Sequence, residues 1–286
     1  MTGLTESKMA AMQTLLVRLL QSNENGFVNE QSGLTDIDVN IVLAAVTKFR
    51  RSLARTRTEP SHPGCQYEEG RVIEALLLED PDQCCYVDVG ASYPKECSNT
   101  WPLYLKGWRG LLIEPLPHCW PSILQERPGD YLFPVAASDV DGFAEFRVAG
   151  ELSTLRDDWP IVDQATLTVE TKRLSTILEG FPGIRDKCKL CSIDVEGHEK
   201  EVIQGIDFSS FHPDLFVVEF REHHPRKMGR SIASEWHLLL QAQGYMPIDC
   251  SQLNLLLLHE SKLKLWESVK SQVQITPDDY WGEQIK

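Results

Sequence analysis

The sequence predicts a doubly wound α/β fold: a mostly parallel seven-stranded sheet with an antiparallel edge hairpin, plus an N-terminal helical extension. From residue 65 onward, short and nearly continuous apolar runs alternate with helical segments, the pattern of parallel strands covered on both faces. The last two runs, Tyr245 to Asp249 and Leu253 to His259, are joined only by Cys250-Ser251-Gln252, a link too short for a parallel crossover. The first sixty residues are different, with helical periodicity but no core of their own.

In chain order, Met12, Leu15, Leu16, Leu19 and Leu20 recur at helical spacing until Asn23 to Gly26. Thr35 and Asp38 form an acidic capping box ahead of the stripe Val39, Val42, Leu43, Val46 and Leu53. That helix ends in Lys48, Arg50, Arg51, Arg55 and Arg57, cations that suit a helix C-terminus better than they argue for a bound phosphate. Glu59 to Gly64 reads as a linker. Residues 1–60 are therefore expected to form a helical cap or a homodimerisation segment. The α/β domain follows over 65–260, and 261–286 is a tail. Within the domain, strands are expected at Cys84 to Val89, Leu111 to Ile113, Leu132 to Ala137, Leu190 to Ile193 and Leu215 to Val218. Helices are expected at Val72 to Leu77, Ser98 to Leu105, Pro117 to Gln125, Leu174 to Leu178, His198 to Gln204 and Ser231 to Gln243.

With 28 Lys+Arg against 42 Asp+Glu, the 286 residues carry a formal charge of −14. Such a surface repels a phosphate backbone, so no nucleic-acid partner is expected. No apolar run approaches the ~20 residues that span a bilayer. The stretch Leu15 to Leu20 is broken by Arg18, unlike a signal peptide. The expectation is a cytoplasmic protein that meets no membrane. The 8 cysteines are irregularly spaced and read as free thiols. Cys188 and Cys191 make a CxxC, but residues three apart in a strand face opposite sides, so a metal or redox pair is disfavoured.

In open α/β sheets, ligands bind beyond the carboxyl ends of the strands. Those ends read Asp88-Val89-Gly90-Ala91-Ser92, Glu114-Pro115, Ala137-Ser138-Asp139, and Asp194-Val195-Glu196-Gly197-His198, with Glu219 ahead of Glu222, His223 and His224. One such acid would be an ordinary solvated loop residue; acids at every strand end mark a site. A dinucleotide fingerprint needs G-x-G-x-x-G, and only Gly90 is present, beside an Asp88 that would repel pyrophosphate. No P-loop follows a strand. A cofactor with positive charge and no phosphate tolerates these acids, and S-adenosylmethionine is one. Glu114, 26 residues after Asp88, stands where an acid accepts both ribose hydroxyls.

The segments Tyr86-Val-Asp-Val-Gly-Ala-Ser-Tyr-Pro, Cys97-Ser-Asn-Thr and Gly107-Trp-Arg-Gly-Leu-Leu-Ile-Glu-Pro resemble the FkbM family of S-adenosylmethionine-dependent methyltransferases. Ser192-Ile-Asp-Val-Glu-Gly-His-Glu-Lys-Glu-Val-Ile-Gln-Gly-Ile-Asp-Phe resembles the family's second signature, and the likeness covers about residues 65–222. It implies a Rossmann-like domain with Asp88, Gly90, Ala91 and Ser92 in the cofactor loop and Ser98, Asn99 and Thr100 beside it. It further implies Glu114 on the ribose, Ser138 and Asp139 flanking the adenine, and a small-molecule hydroxyl (sugar, polyketide or other secondary metabolite) as acceptor. The usual second loop glycine is absent, since Ser92-Tyr93-Pro94 follows Gly90-Ala91. Donors on Ser98 to Thr100, at a helix N-terminus, are expected to compensate by receiving the methionine carboxylate.

Methyl transfer from a sulfonium requires alignment of the acceptor and removal of its proton. His198, in the first turn of a helix whose dipole disfavours the imidazolium, is the candidate base, against the competing reading of a capping or packing histidine. Asp194 and Glu196 precede it where the sulfonium would lie; Asp194 is expected to contact the cofactor and all three to act in catalysis. A metal-assisted version would use Asp194, Glu219, Glu222 and His223, with His224, to hold Mg²⁺. A catalytically degenerate binding or scaffold protein is disfavoured by the intact acids, and a nicotinamide-dependent oxidoreductase by the missing glycines. Leu152 to Asp158, His223 to Arg230 and the N-terminal helices are the expected specificity elements.

Overall fold

In the computed structural model the described residues are 65, 68–78, 80–148, 153–155, 165–220, 235–251 and 253–275. The expected N-terminal helices, and Glu222, His223 and His224, lie outside them. In order, the elements are α1 (Glu69–Leu76), β1 (Cys85–Val89), α2 (Trp101–Leu105), β2 (Arg109–Ile113), α3 (Trp120–Glu126), β3 (Tyr131–Phe133), β4 (Ala136–Ser138), β5 (Gly142–Val148) and β6 (Ala165–Arg173). Next come α4 (Leu174–Glu179), α5 (Pro182–Lys187), β7 (Cys188–Ile193), α6 (Glu199–Gln204), β8 (Leu215–Glu219), α7 (Glu235–Gln241), β9 (Tyr245–Cys250), β10 (Asn254–His259) and α8 (Leu263–Val273).

The main sheet has seven strands in the order β3-β2-β1-β7-β8-β10-β9. Its first five strands are parallel, and β10 runs antiparallel between β8 and β9, the expected edge hairpin. Alternation along the strands divides the core in two. Tyr86, Leu112, Leu190 and Val217 pack with Val72, Leu103 and Trp266 on one face. Val87, Leu111, Cys191 and Phe216 pack with Ile177, Val202 and Leu240 on the other, so the sheet is covered on both sides. The helices expected from Ser98 and Pro117 begin at Trp101 and Trp120, where Pro102 and Pro121 occupy the first turn. Among the described residues no helix is long and apolar enough to cross a membrane.

Three expectations are corrected. The run Leu132 to Ala137 is two strands in two sheets: β3 pairs with β2, β4 pairs with β6, and Pro134, which has no N–H to give a ladder, stands between them. The sheet that β4 joins, in the order β4-β6-β5, was not expected, because β5 and β6 are partly exposed and mix polar with apolar residues. Cys188 and Cys191 share one core cluster, because the β1–β7 register shifts between Cys85 and Tyr86 and a bulge turns Cys188 to the same face. Both are free thiols whose pKa burial pushes well up, which makes them inert.

The segment expected as a tail begins with α8, which packs on α1 and buries Trp266. Glu69, buried at the start of α1, accepts hydrogen bonds from Ser251 Oγ and Asn254 Nδ2 and ties that helix to the edge hairpin. Trp266→Ala should therefore lower stability by about 3 kcal/mol in urea unfolding, the cost of emptying a large buried site.

Candidate active site

The chain winds from β1 through β2 to β3 and then returns to β7 on the other side of β1, so the β1–β7 boundary is the switch point of the sheet. A cleft of about 520 Å³, open mouth included, lies there. Gly90 and Ser92 after β1, and Asp194, Glu196 and His198 after β7, line one side. Glu114, Pro115 and Leu116 after β2 line the next, and Ala137, Phe146, Ser153 and Leu155 close it from the second sheet.

The β1 loop reaches this cleft through unusual backbone. Gly90 has φ 82°, and a Cβ on it would sit 1.8 Å from the Asp194 carbonyl oxygen, so only glycine lets β1 and β7 exit together. Ser92 stands in the left-handed region at φ 41°. Its N–H donates to Glu114 Oε2 at 2.8 Å, while Leu116 N–H donates to Oε1 at 2.7 Å. Burial pushes the Glu114 carboxyl up to about 7, against the pull of those two N–H groups toward the charged form.

The β7 exit repeats the device. Glu196 and Gly197 have φ 55° and 96°. The buried Glu199 accepts from Gly197 N–H at 2.9 Å and Val195 N–H at 3.3 Å, bracketing Glu196. Burial also pushes Glu199 up to about 7. Asp194, Glu196 and Glu219 bring one carboxylate oxygen each to within 4.8 Å of one another where β7 and β8 end. Residues 88–247, more than half of the chain, match the methyltransferase FkbM domain.

The chain belongs to the FkbM methyltransferase family. No curated protein matches it.

In this FkbM methyltransferase the residues expected at the site fall into two sets. Gly90, Ser92, Glu114, Asp194, Glu196 and His198 come together in the cleft. Asp88, Ser98 and Thr100 lie behind it, joined to a residue the sequence did not single out, Arg127. That guanidinium is fully buried; it donates to Thr100 Oγ1 at 2.9 Å and to Asp130 Oδ2 at 2.7 Å, and lies 3.8 Å from Asp88 Oδ2. Thr100 in turn donates to Asp88 at 2.5 Å. The Ser98 and Thr100 hydroxyls are thus taken up by this network, and α2 is only five residues long. Ala91 packs in the core, and Asn99 donates to Ser192 Oγ at 3.2 Å. Ser138 is buried against His198, and Asp139 is exposed. Of the expected metal ligands, Asp194 and Glu219 meet.

Arg127, Asp130, Glu199 and Phe146 are the site-building residues that sequence reasoning missed. Arg127 and Asp130 flank Pro128-Gly129, where charges read as a solvated turn. Glu199 offered the better signal, an acid at a helix start two residues after a glycine.

Two predictions follow from this geometry. Gly90→Ala should cost more than about 1–3 kcal/mol in chemical denaturation, since strain adds to a backbone clash. Glu114 and Glu199 hold protons in the fold well above their usual 4.5, so stability is fullest below that value and is lost as pH rises toward about 7. The melting temperature should fall between pH 5 and pH 8. Glu199→Gln, which keeps an oxygen for both N–H groups, should flatten that fall by on the order of 2 kcal/mol at pH 8.

Proposed function

We propose that this methyltransferase uses S-adenosylmethionine to methylate a hydroxyl of a small-molecule acceptor, of sugar, polyketide or other secondary-metabolite type. The observation that carries this reading is the polarity of the cleft: acids at the β1–β7 mouth, apolar walls elsewhere, and a single loop glycine. The chemistry of the residues fits the cofactor. Leu116, Ala137, Phe146 and Leu155 suit a flat adenine ring. Glu114 uses one site on each oxygen for backbone N–H groups, and a carboxylate has about four such sites, so acceptors are left for two ribose hydroxyls. Asp194 and Glu196 suit the cationic end. Asn99 Oδ1 is buried without a hydrogen-bond partner, an acceptor that an ammonium would complete.

When bound, the cofactor supplies a methyl group already activated on a positively charged sulfur. Asp194 and Glu196 then hold that charge in place, and the apolar walls keep water from the transfer line. His198 at the cleft edge takes the proton of the acceptor hydroxyl.

Calorimetric titration tests the reading. S-adenosylmethionine and S-adenosylhomocysteine should both bind, with EDTA changing neither affinity. Asp194→Asn should weaken S-adenosylmethionine at least about tenfold and the uncharged product less, because only the former brings a sulfonium. Since hydroxyl donors favour the carboxylate form of Glu114, affinity should rise with pH through about 7. Failure of both ligands to bind wild-type protein would remove the proposal.

A further inference from the structure

We propose that Ser138, Asp139 and Glu201 are positioning residues that hold His198 in one tautomer and keep its ring partnered when it gains a proton; this rests on the methyl-transfer reading above. Glu201, three residues along the chain on α6, brings Oε2 to 3.5 Å from His198 Nδ1. Ser138, at the end of β4, brings Oγ to 3.0 Å from Nε2 and to 3.1 Å from Asp139 Oδ1. The backbone fixes the spacing between these elements: a Cβ at Gly205, just beyond α6, would meet the Ser138 carbonyl oxygen at 2.2 Å, so the helix end lies directly on the strand.

Donor and acceptor rules turn the geometry into a mechanism. An ionised carboxylate only accepts, so Glu201 selects the ring form with hydrogen on Nδ1. In the neutral ring Nε2 then carries the lone pair, and the Ser138 hydroxyl donates to it. When Nε2 is protonated, the same hydroxyl oxygen accepts from it and turns its own hydrogen to Asp139. Each ring nitrogen keeps a partner in both states, whereas a histidine that only packs needs partners for one. Ser138 is buried and Asp139 exposed, so the contacts lead from the cleft wall to solvent.

During transfer the acceptor oxygen forms its bond to the methyl carbon as the carbon–sulfur bond breaks, the electron pair staying on sulfur and cancelling its charge. The Ser138 hydroxyl turns its hydrogen to Asp139, which frees the Nε2 lone pair for the acceptor's proton, and the imidazolium is held between Glu201 and Ser138. Nε2 then returns a proton to Ser138 Oγ while Ser138 gives its own to Asp139 and on to water. One proton leaves for each methyl transferred.

The test is a long-range ¹H–¹⁵N correlation of the histidine rings in ¹⁵N-labelled full-length protein with S-adenosylhomocysteine bound, His198 being assigned by its loss in His198→Gln. The expected signature is a protonated Nδ1 and an unprotonated, hydrogen-bonded Nε2. Glu201→Gln, on a partly exposed position, should weaken the Nδ1–H preference, because its amide can donate to Nδ1 as well as accept from it. Ser138→Ala should keep the tautomer but shift Nε2. An Nε2–H ring in wild type, or a spectrum unchanged in Glu201→Gln, would overturn the proposal. Calorimetry separates the two levels: Glu201→Gln should bind S-adenosylhomocysteine within about twofold of wild type, and a wild type that does not bind it sinks the methyl-transfer reading, with the tautomer then read in the unliganded protein.

Discussion

One guanidinium with no solvent exposure balances two buried carboxylates, and the site is assembled around it. Arg127 meets Asp130 at 2.7 Å and Asp88 at 3.8 Å, and its Cζ lies 5.2 Å from the centre of the Tyr86 ring and 5.3 Å from that of the Tyr104 ring. It also donates to the Pro94 carbonyl and to Ser98, so one side chain gathers β1, the loop after it and the turn after α3. Burying ions is costly, and removing one partner of such a set strands the others, a loss of roughly 3–5 kcal/mol. With two acids for one cation, burial pushes both Asp88 and Asp130 above their usual range despite Arg127. Burial works against the Arg127 charge, but Tyr86, Asp130 and Asp88 more than hold it, and its pKa is raised. The Tyr86 hydroxyl, itself pushed up by burial, stays a donor to Asp130. Asp88 thereby shapes the loop after β1 from behind.

The remaining acids divide by the same logic into those that hold backbone and those that face the cleft. Ser92 and Glu196 occupy left-handed conformations that cost side-chain-bearing residues on the order of 1–3 kcal/mol. Each is fixed by a carboxylate from elsewhere: Glu114 takes the Ser92 N–H, and Glu199 takes the N–H groups on either side of Glu196. Ser92 holds with a side chain a backbone conformation that favours glycine, and the Glu114 bond is what makes that tolerable. The turns then leave Asp194 and Glu196 lining the cleft.

The main sheet was legible because its strands are apolar on both faces, and the edge hairpin because its link is too short to cross over. The second sheet was hidden for the complementary reason: Phe143 and Glu145 are exposed while Phe146 is buried, so β5 resembles a loop in sequence. Strand ends disclosed the acids Glu114, Asp194 and Glu196 but could not say which oxygens were already engaged. Asp88 and Thr100 read as ligands because their partner, Arg127, lies 27 residues beyond Thr100 in a turn with no motif of its own. Long-range ion pairing leaves no periodicity to detect. The bulge beside Cys188 escaped for a related reason, since register is a property of two strands and the sequence displays one at a time.

The acids at the cleft also link stability to ligand. Glu114 and Glu199 are buried where ionisation is disfavoured, and Asp194 adds to the negative charge felt by Glu199. A core optimised for stability alone would replace such groups, so retaining them amounts to holding free energy in reserve at the switch point. A ligand bringing hydroxyl donors and positive charge relieves that repulsion and stabilises the carboxylates, and whatever binds the folded state alone raises its stability by mass action. The second sheet takes part in this as well. Thr154 pairs with Arg147 through two backbone hydrogen bonds, at 2.9 and 3.1 Å, which seats Ser153 and Leu155 against the cleft. A largely apolar wall anchored on strand β5 lowers the polarity beside the acids, and lower polarity strengthens every charge interaction there. The second sheet, hidden in the sequence, therefore bears on the strength of the acids that the strand ends disclosed.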